Sequence, residues 1–301
     1  MKRIFVSFVS VILAMLMFAF FSNPVYAEGS APVAENLELK TYRNISTEGQ
    51  LSGFDPDGDT LQYIISTEPV KGNIDLQEDG HFVYTPRENK HGRDYFGYRV
   101  MDCEGNCSQE ATVIIRIEKQ KKDVFYSDLH GEGLEYAAIA LAESNIFIGE
   151  QIGGCFMFSQ ETPVTRAEFL HMCMQLSSEP AVSSALHTGY ADDALIPAWA
   201  RADACTAGMY GIYRSAPEDS TTLFQGSEPI LTSEAALMLD RCLKLTDVSY
   251  RFSEEDLPES VQAWANLEGH GIVKSAYADD ENLTRGQAAR MLTAAMAVSN
   301  R

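Results

Sequence analysis

The alternation of apolar and polar residues divides the chain into two parts with different periodicity. Between residues 31 and 118, β-branched and aromatic residues recur at every second position in short runs, which Gly, Pro, Asn and Asp separate. This pattern is typical of the half-buried strands of an antiparallel β-sandwich. The clearest predicted strands are Leu61–Ile65, His81–Thr85, Asp94–Val100 and Ala111–Ile117.

The second part follows a polar linker at residues 119–123 and repeats helical signals three times. Each unit opens on an aromatic and an acidic residue, continues into an apolar helix that ends at a Gly- or Asn-containing turn, and reaches a second helix. The pattern therefore predicts an all-α region of six helices, two in each unit. The units span residues 124–177, 187–245 and 250–298, and their second helices start near Thr165, Thr232 and Thr284.

The starts of these second helices carry capping signals. Thr165 and Glu168 have the spacing of a capping box, and Thr284 and Gln287 repeat it. The second unit has a blurred copy at residues 229–234, with Ser233 in the place of the arginine. Arg166 and Arg285 stand at the first helical position, where a free guanidinium beside unpaired amides could hold an anion.

The N-terminus has the pattern of a secretory signal. Lys2 and Arg3 precede an apolar run, and small residues end it near Ala27. Residues 1–27 are therefore predicted to be a cleaved signal peptide, so that the mature chain is exported and has no membrane segment. An uncleaved N-terminal anchor is the alternative, because the apolar run reaches the lower length limit for spanning a bilayer.

The charge of the chain limits its partners. The formal net charge of −20 argues against nucleic acid, whose affinity rests on lysine and arginine that neutralise phosphates. It also disfavours loose adsorption to any anionic polymer, so binding of such a polymer must depend on a few placed arginines.

Two groups in the sandwich are candidates for further chemistry. Asp55, Asp57 and Asp59 place three carboxylates on alternate residues, where they repel one another. A hard cation such as calcium would relieve this repulsion, with Asp102 as a fourth ligand. A polar turn is the alternative. Cys103 and Cys107 flank a predicted hairpin turn and could form a disulfide, or remain as two reduced thiols.

The sandwich resembles the cadherin-like, bacterial Ig-type repeats of exported proteins. The resemblance rests on Asp-Pro-Asp-Gly-Asp at residues 55–59, on residues 80–86 and on the alternating motif of residues 92–102. It implies calcium binding in many such domains.

The helical part resembles S-layer homology (SLH) repeats. The resemblance rests on Tyr-Ser-Asp at 126–128, Leu-Ala-Glu-x-x-Ile at 141–146 and Phe-x-x-x-x-Pro-Val-Thr-Arg-Ala-Glu-Phe at 158–169. It implies three helix-loop-helix repeats whose grooves bind anionic, often pyruvylated, cell-wall polysaccharide. The residues assigned to that site are Arg166, Arg285, Trp199, Asp128 and Asp192.

These patterns favour a non-catalytic, exported bacterial surface protein. Its SLH unit would anchor it to a secondary cell-wall polysaccharide and display the Ig-like domain. The alternative is a degenerate SLH unit that packs against other surface proteins without binding glycan. Motifs for nucleophilic, zinc or phosphate chemistry are absent from the sequence, so an enzyme is not predicted.

Overall fold

The computed structural model describes residues 29–129, 133–182, 187–213, 223–246, 248, 258–274 and 280–299. The predicted signal peptide (1–27) and the start of the third predicted unit (250–257) lie outside these ranges.

The first part of the chain is a β-sandwich of two sheets. One sheet has the order β2–β9–β8–β5 and the other β3–β7–β6, while β1 pairs with β4. β2 runs parallel to β9, and the other pairs are antiparallel. The strands are β1 Val33–Ala34, β2 Leu37–Tyr42, β3 Thr47–Gln50, β4 Gly53–Phe54, β5 Gln62–Thr67, β6 Gly72–Leu76, β7 His81–Pro86, β8 Gly92–Met101 and β9 Ala111–Glu118.

The sandwich core follows from the two-residue period of the longer strands. In β9, Ala111, Val113, Ile115 and Ile117 are buried on one face, as strand geometry requires. The four predicted strands are confirmed as β5, β7, β8 and β9. The other strands escape prediction because they are short or weakly patterned. β3, for example, reads Thr-Glu-Gly-Gln and contains no large apolar residue.

The second part contains six α-helices in its described residues, as predicted. A short hairpin of β10 (Glu150–Ile152) and β11 (Cys155–Met157) joins the first two helices, where a loop was expected. Gly153 and Gly154 form its turn with positive φ angles of 60° and 87°. The helices are α1 Leu134–Glu143, α2 Arg166–Met174, α3 Arg201–Met209, α4 Thr232–Leu243, α5 Glu259–Gly269 and α6 Arg285–Ser299.

The helices pack in a cyclic order. α2 packs on α3, α4 packs on α5, and α6 returns to pack on α1. The second helix of each unit thus contacts the first helix of the next unit, and the third unit closes on the first.

Three backbone hydrogen bonds close the same circle at the entrance to the second helices. Val164 N–H donates to Leu283 O, Leu283 N–H donates to Ile230 O, and Ile230 N–H donates to Val164 O, each at 2.9 Å. These three residues precede α2, α4 and α6 at equivalent positions and are all buried. We call this set the central ring. It ties the three second helices together at their N-terminal ends.

The sandwich and the helical region are in direct contact. The turn between β2 and β3 buries Ile45 in the core of the helical region, and the Tyr42 ring lies 5.9 Å from the Tyr136 ring. Glu48 pairs with Arg290 at 3.5 Å. The predicted linker is also held, because the Glu143 carboxylate accepts from the amides of residues 121 and 122 at 2.8 to 3.1 Å.

Candidate functional site

Arg166 begins α2, and its side chain turns inward. Nη2 donates to both carboxylate oxygens of Glu234 at 2.9 and 2.8 Å, and Nη1 donates to the carbonyls of Phe224 and Gln225 at 3.3 and 2.8 Å. The side chain is 7 % exposed. The expectation of a free guanidinium at Arg166 is therefore wrong, because a carboxylate 68 positions downstream occupies it.

Arg285 takes the equivalent place at the start of α6, between the third and first units. Its Nη1 donates to the Phe158 carbonyl at 3.5 Å, as Arg166 does to Phe224. Its guanidinium lies 5.3 Å from the Phe147 ring centre. Nη2 donates to Glu150 at 3.2 Å, but the Glu150 side chain is 59 % exposed. Arg285 is thus also paired rather than free, and its partner lies largely in solvent.

Both guanidinium groups keep one buried donor without an acceptor. The Nε atoms of Arg166 and Arg285 are buried and have no hydrogen-bond partner among the described residues. A buried donor left unpaired costs about 1 to 3 kcal/mol. Arg285 also lines a small cavity with Phe147, Phe158 and Glu168. At about 10 Å³ the cavity is near the volume that one water needs, so a sugar could bind only at its mouth.

The second unit departs from this pattern. α4 begins at Thr232, so Leu231 stands at the cap position and Thr232 replaces the arginine. The expected replacement by Ser233 is therefore wrong by one residue. Asp280 covers this helix start instead, accepting from Thr232 Oγ1, Ser233 N and Ser233 Oγ at 2.8 to 3.2 Å. A carboxylate of the chain itself thus occupies the place where an external anion would bind.

The capping boxes of the other two units are present. Thr165 Oγ1 accepts from Glu168 N at 3.3 Å, and Glu168 Oε2 accepts from Thr165 N at 2.9 Å. Thr284 and Gln287 form the same reciprocal pair, at 3.3 and 2.8 Å. These groups satisfy helix-start amides and leave the adjacent arginine side chains to make other contacts.

Asp128 and Asp192 have a structural task in the folded chain. The two oxygens of Asp128 accept from the amides of Phe158 and Ser159, at 2.9 and 2.6 Å. Those of Asp192 accept from the amides of Phe224 and Gln225, both at 2.7 Å. Each carboxylate thus clamps the segment that leads to its second helix, and its contact with a ligand stays a prediction.

Trp199 lies in a 3₁₀ turn just before α3, and its side chain is 53 % exposed. Its ring meets the His171 ring edge-on at 5.8 Å. His171 Nδ1 lies 2.7 Å from Asp203 Oδ2. This hydrogen bond raises the pKa of His171, against the opposing effect of burial. The ring contact of Trp199 with His171 therefore links the second unit to the first, on the solvent-exposed side of both.

The aspartates of the candidate calcium site take part in local hydrogen bonds. Asp55 Oδ1 accepts from the amides of Asp57 and Asp59, and Asp57 Oδ2 accepts from Ser30 N. Asp102 accepts from the amides of residues 104 and 106. In the described ranges, no cluster of three or more Asp, Glu, His or Cys residues could hold a metal ion. The carboxylates of Asp55, Asp57 and Asp102 thus accept from backbone amides, as the polar-turn alternative requires.

One atom of this region has no partner in the described residues, namely the buried Oδ2 of Asp55. Calcium binding there stays a prediction. If calcium binds there, a chelator should lower the melting temperature.

The predicted bond between Cys103 and Cys107 is not formed. Both thiols are free and exposed. The reason lies in the register, since Cys107 pairs across the turn with Met101 and not with Cys103. Cys103 instead contacts Asp59, which raises the pKa of its thiol. Cys173, by contrast, is fully buried.

The fold thus defines a two-part chain, a β-sandwich followed by a helical region of about six helices. Residues 24–119 match the family described as the bacterial cadherin-like domain. The sandwich is therefore a bacterial cadherin-like domain, of a type that typically occurs in exported surface proteins. The match does not extend into the helical region. No curated protein matches the sequence.

Solved structures with similarity to part of the chain include an adhesin, a domain of intimin and a hydrolase. The SrpA adhesin of Streptococcus sanguinis is 16 % identical over 34 % of this chain and 63 % of its own, with a TM-score of 0.26. The D00–D0 domain of intimin is 12 % identical to this chain, and the match covers 31 % of this chain and 50 % of the intimin chain, with a TM-score of 0.24. An endo-fucoidan hydrolase of glycoside hydrolase family 107 is 19 % identical to this chain, and the match covers 31 % of this chain and 14 % of the hydrolase, with a TM-score of 0.26. The chain spans less than two thirds of each.

None of the described helices has the length and apolar character that crossing a lipid bilayer requires.

Proposed function

We propose that the chain is a non-catalytic surface protein whose helical region is an SLH-type unit that anchors it to anionic cell-wall polysaccharide. The cadherin-like domain is then the displayed part. The cyclic packing of three helix pairs supports this proposal, because it creates three equivalent interfaces between neighbouring units. Anchoring needs an interface that accepts an anion, and the three interfaces differ in this respect.

The observation that carries the proposal is the state of Arg285. Among the residues that the structure describes, its buried Nε has no acceptor, and its Nη2 is held by a glutamate that is mostly in solvent. A ligand carboxylate could displace Glu150 at low cost, because exposed ion pairs contribute about 0 to 1 kcal/mol. Arg166 is less suited, since Glu234 already occupies its guanidinium with two oxygens. We therefore assign the main anion contact to Arg285.

The test is sedimentation of the mature chain with purified cell walls, with and without their secondary polymers. A charge-assisted hydrogen bond contributes roughly 1.5 to 3 kcal/mol, so Arg285→Ala should weaken binding about ten- to a hundredfold. Arg116→Ala removes the same charge from the sandwich surface and should bind like the wild type. Undiminished binding by Arg285→Ala would contradict the assignment.

A second candidate is a degenerate unit that binds another surface protein. Two observations favour it. Glu234 already occupies the Arg166 guanidinium, and Asp280 already accepts from Thr232, so only one of the three interfaces is adapted to an external anion. Leu195 and Trp199, which are 78 % and 53 % exposed, would supply apolar contact area. A wild-type chain that never sediments with walls would favour this second candidate.

A further inference from the structure

Cys173 and Cys242 lie side by side in the core of the helical region. Cys173 is near the end of α2 in the first unit, and Cys242 is near the end of α4 in the second unit. The Cys242 thiol donates to the Cys173 carbonyl oxygen, with Sγ 3.0 Å from that oxygen. Both residues are buried, with relative exposures of 0 % and 3 %. Two helices that pack on each other thus bring together cysteines that are 69 positions apart in the sequence, with the Cys242 thiol against the Cys173 backbone.

The other four cysteines have different surroundings. Cys103 and Cys107 occupy an exposed turn of the sandwich, Cys155 lies in the exposed β10–β11 hairpin, and Cys205 is half-buried on α3. Within the described residues, the pair in the core therefore combines burial with a direct contact across two units.

We propose that Cys173 and Cys242 are a redox pair that forms a disulfide between the first and second units under oxidising conditions. The oxidant is a small-molecule or protein disulfide. One cysteine attacks it as a thiolate, forms a mixed disulfide and releases one thiol. The other cysteine then attacks the mixed disulfide and releases the second thiol. Two protein thiols are oxidised, one external disulfide is reduced to two thiols, and the protons pass to those leaving groups.

The buried setting determines when this bond can form. Burial raises the pKa of the Cys173 thiol well above its usual range and that of Cys242 to about 11. Because the thiolate is the attacking species, the folded core suppresses the reaction. The bond therefore forms while the helices are assembling, and it is afterwards shielded from reductants. Closing a loop of this length restricts the unfolded chain strongly.

The experiment is to refold the full chain in a mixture of oxidised and reduced glutathione, block free thiols with iodoacetamide, and map tryptic peptides. Cleavage after Arg166, Arg201, Arg241 and Lys244 puts Cys173 in the peptide 167–201 and Cys242 in the peptide 242–244. We expect a linked pair of these peptides that separates on reduction, with loss of both alkylated forms. The oxidised chain should melt at a higher temperature than the same chain refolded in the presence of a reductant.

The matched variants are Cys242→Ala and Cys205→Ala. Cys242→Ala should leave Cys173 alkylated and make the melting temperature insensitive to this bond, whereas Cys205→Ala should behave like the wild type. If the refolded wild type shows both peptides only in alkylated form, or links Cys173 to another cysteine, the proposal is wrong. The readout is independent of wall binding, so its failure would leave the proposed anchoring function unaffected.

Discussion

At the scale of single residues, Arg166 and Arg285 differ in how deeply their ion pairs are buried. Arg166 and Glu234 have side-chain exposures of 7 % and 26 %, whereas Arg285 and Glu150 have 11 % and 59 %. A carboxylate that loses a buried partner keeps its desolvation cost without the compensating attraction. The same substitution at the two positions should therefore have unequal effects on folding.

Arg166→Ala should cost about 3 kcal/mol of unfolding free energy, because it strands Glu234 and two carbonyl acceptors. Arg285→Ala should cost about 1 kcal/mol, the value typical of an exposed pair. Chemical denaturation of the two variants and the wild type measures the difference. Equal losses would contradict the distinction, and a small loss in both would mean that neither arginine supports the fold.

How far the sequence predicts these sites depends on the separation between partners. Thr165 and Glu168 are three residues apart on one helix start, so their spacing alone predicts the capping box. Glu234 and Asp280 act on helix starts in other units, and their roles depend on how the units pack. One signal for Glu234 was available, since it stands where Glu168 stands in the first unit. The prediction of a free Arg166 failed because the chain supplied its own anion from a neighbouring unit.

At the scale of elements, Asp128 and Asp192 fix the segments that precede α2 and α4. Each carboxylate accepts hydrogen bonds from two consecutive backbone amides of its segment. Asp192→Ala should cost about 2 kcal/mol, because it leaves the amides of Phe224 and Gln225 unpaired. Asp192→Asn retains one acceptor oxygen and should cost less.

Thermal or urea unfolding can rank these variants, with Asp128→Ala as the equivalent change in the first unit. Glu161→Ala, which removes an exposed carboxylate, is the control and should be close to neutral. A loss with Glu161→Ala as large as with Asp192→Ala would show that charge, and not the clamp, is responsible.

The contact between α2 and α3 should depend on pH through His171. Its pKa is raised above 6.5 by the hydrogen bond to Asp203, so the folded state binds the proton more tightly than the unfolded state does. The stabilisation is therefore complete below the ordinary histidine pKa and is lost as the pH rises through the raised value.

Melting temperatures between about pH 5.5 and 8 should show this loss. His171→Gln should remove that part of the pH dependence, while His187→Gln, at an 88 % exposed side chain, should leave most of it. An unchanged pH profile in His171→Gln would contradict the assignment.

At the scale of the whole molecule, the sandwich and the helical region share an interface centred on Ile45. Replacing buried Ile45 by alanine should cost about 2 to 5 kcal/mol, the range for removing a large aliphatic side chain from a core. Ile64→Ala removes the same atoms from an exposed site on β5 and should be nearly neutral. Calorimetry of the full chain would report the difference. Similar melting of both variants would mean that the two parts do not support each other.

The polar segment at residues 119–123 has the composition of a flexible connection, and the sequence alone predicted a linker. The structure instead pins its backbone to Glu143 at the end of α1. Composition indicates which residues prefer water, but it does not indicate whether a carboxylate from another element will take up their amide hydrogens. The two-residue and helical periods of apolar residues predicted where the two domains lie. Neither period indicates which residues make contacts between the domains.

The central ring also limits how such a chain can change in length during evolution. Open-ended repeat proteins contact only nearest neighbours, so they can gain or lose a terminal repeat and keep the remaining interfaces. Here Leu283, in the last unit, contributes to two of the three bonds, one as donor and one as acceptor. A deletion of the last unit would open both, and an added fourth unit would have no place in a closed circle of three. The closed ring therefore ties the number of units to three.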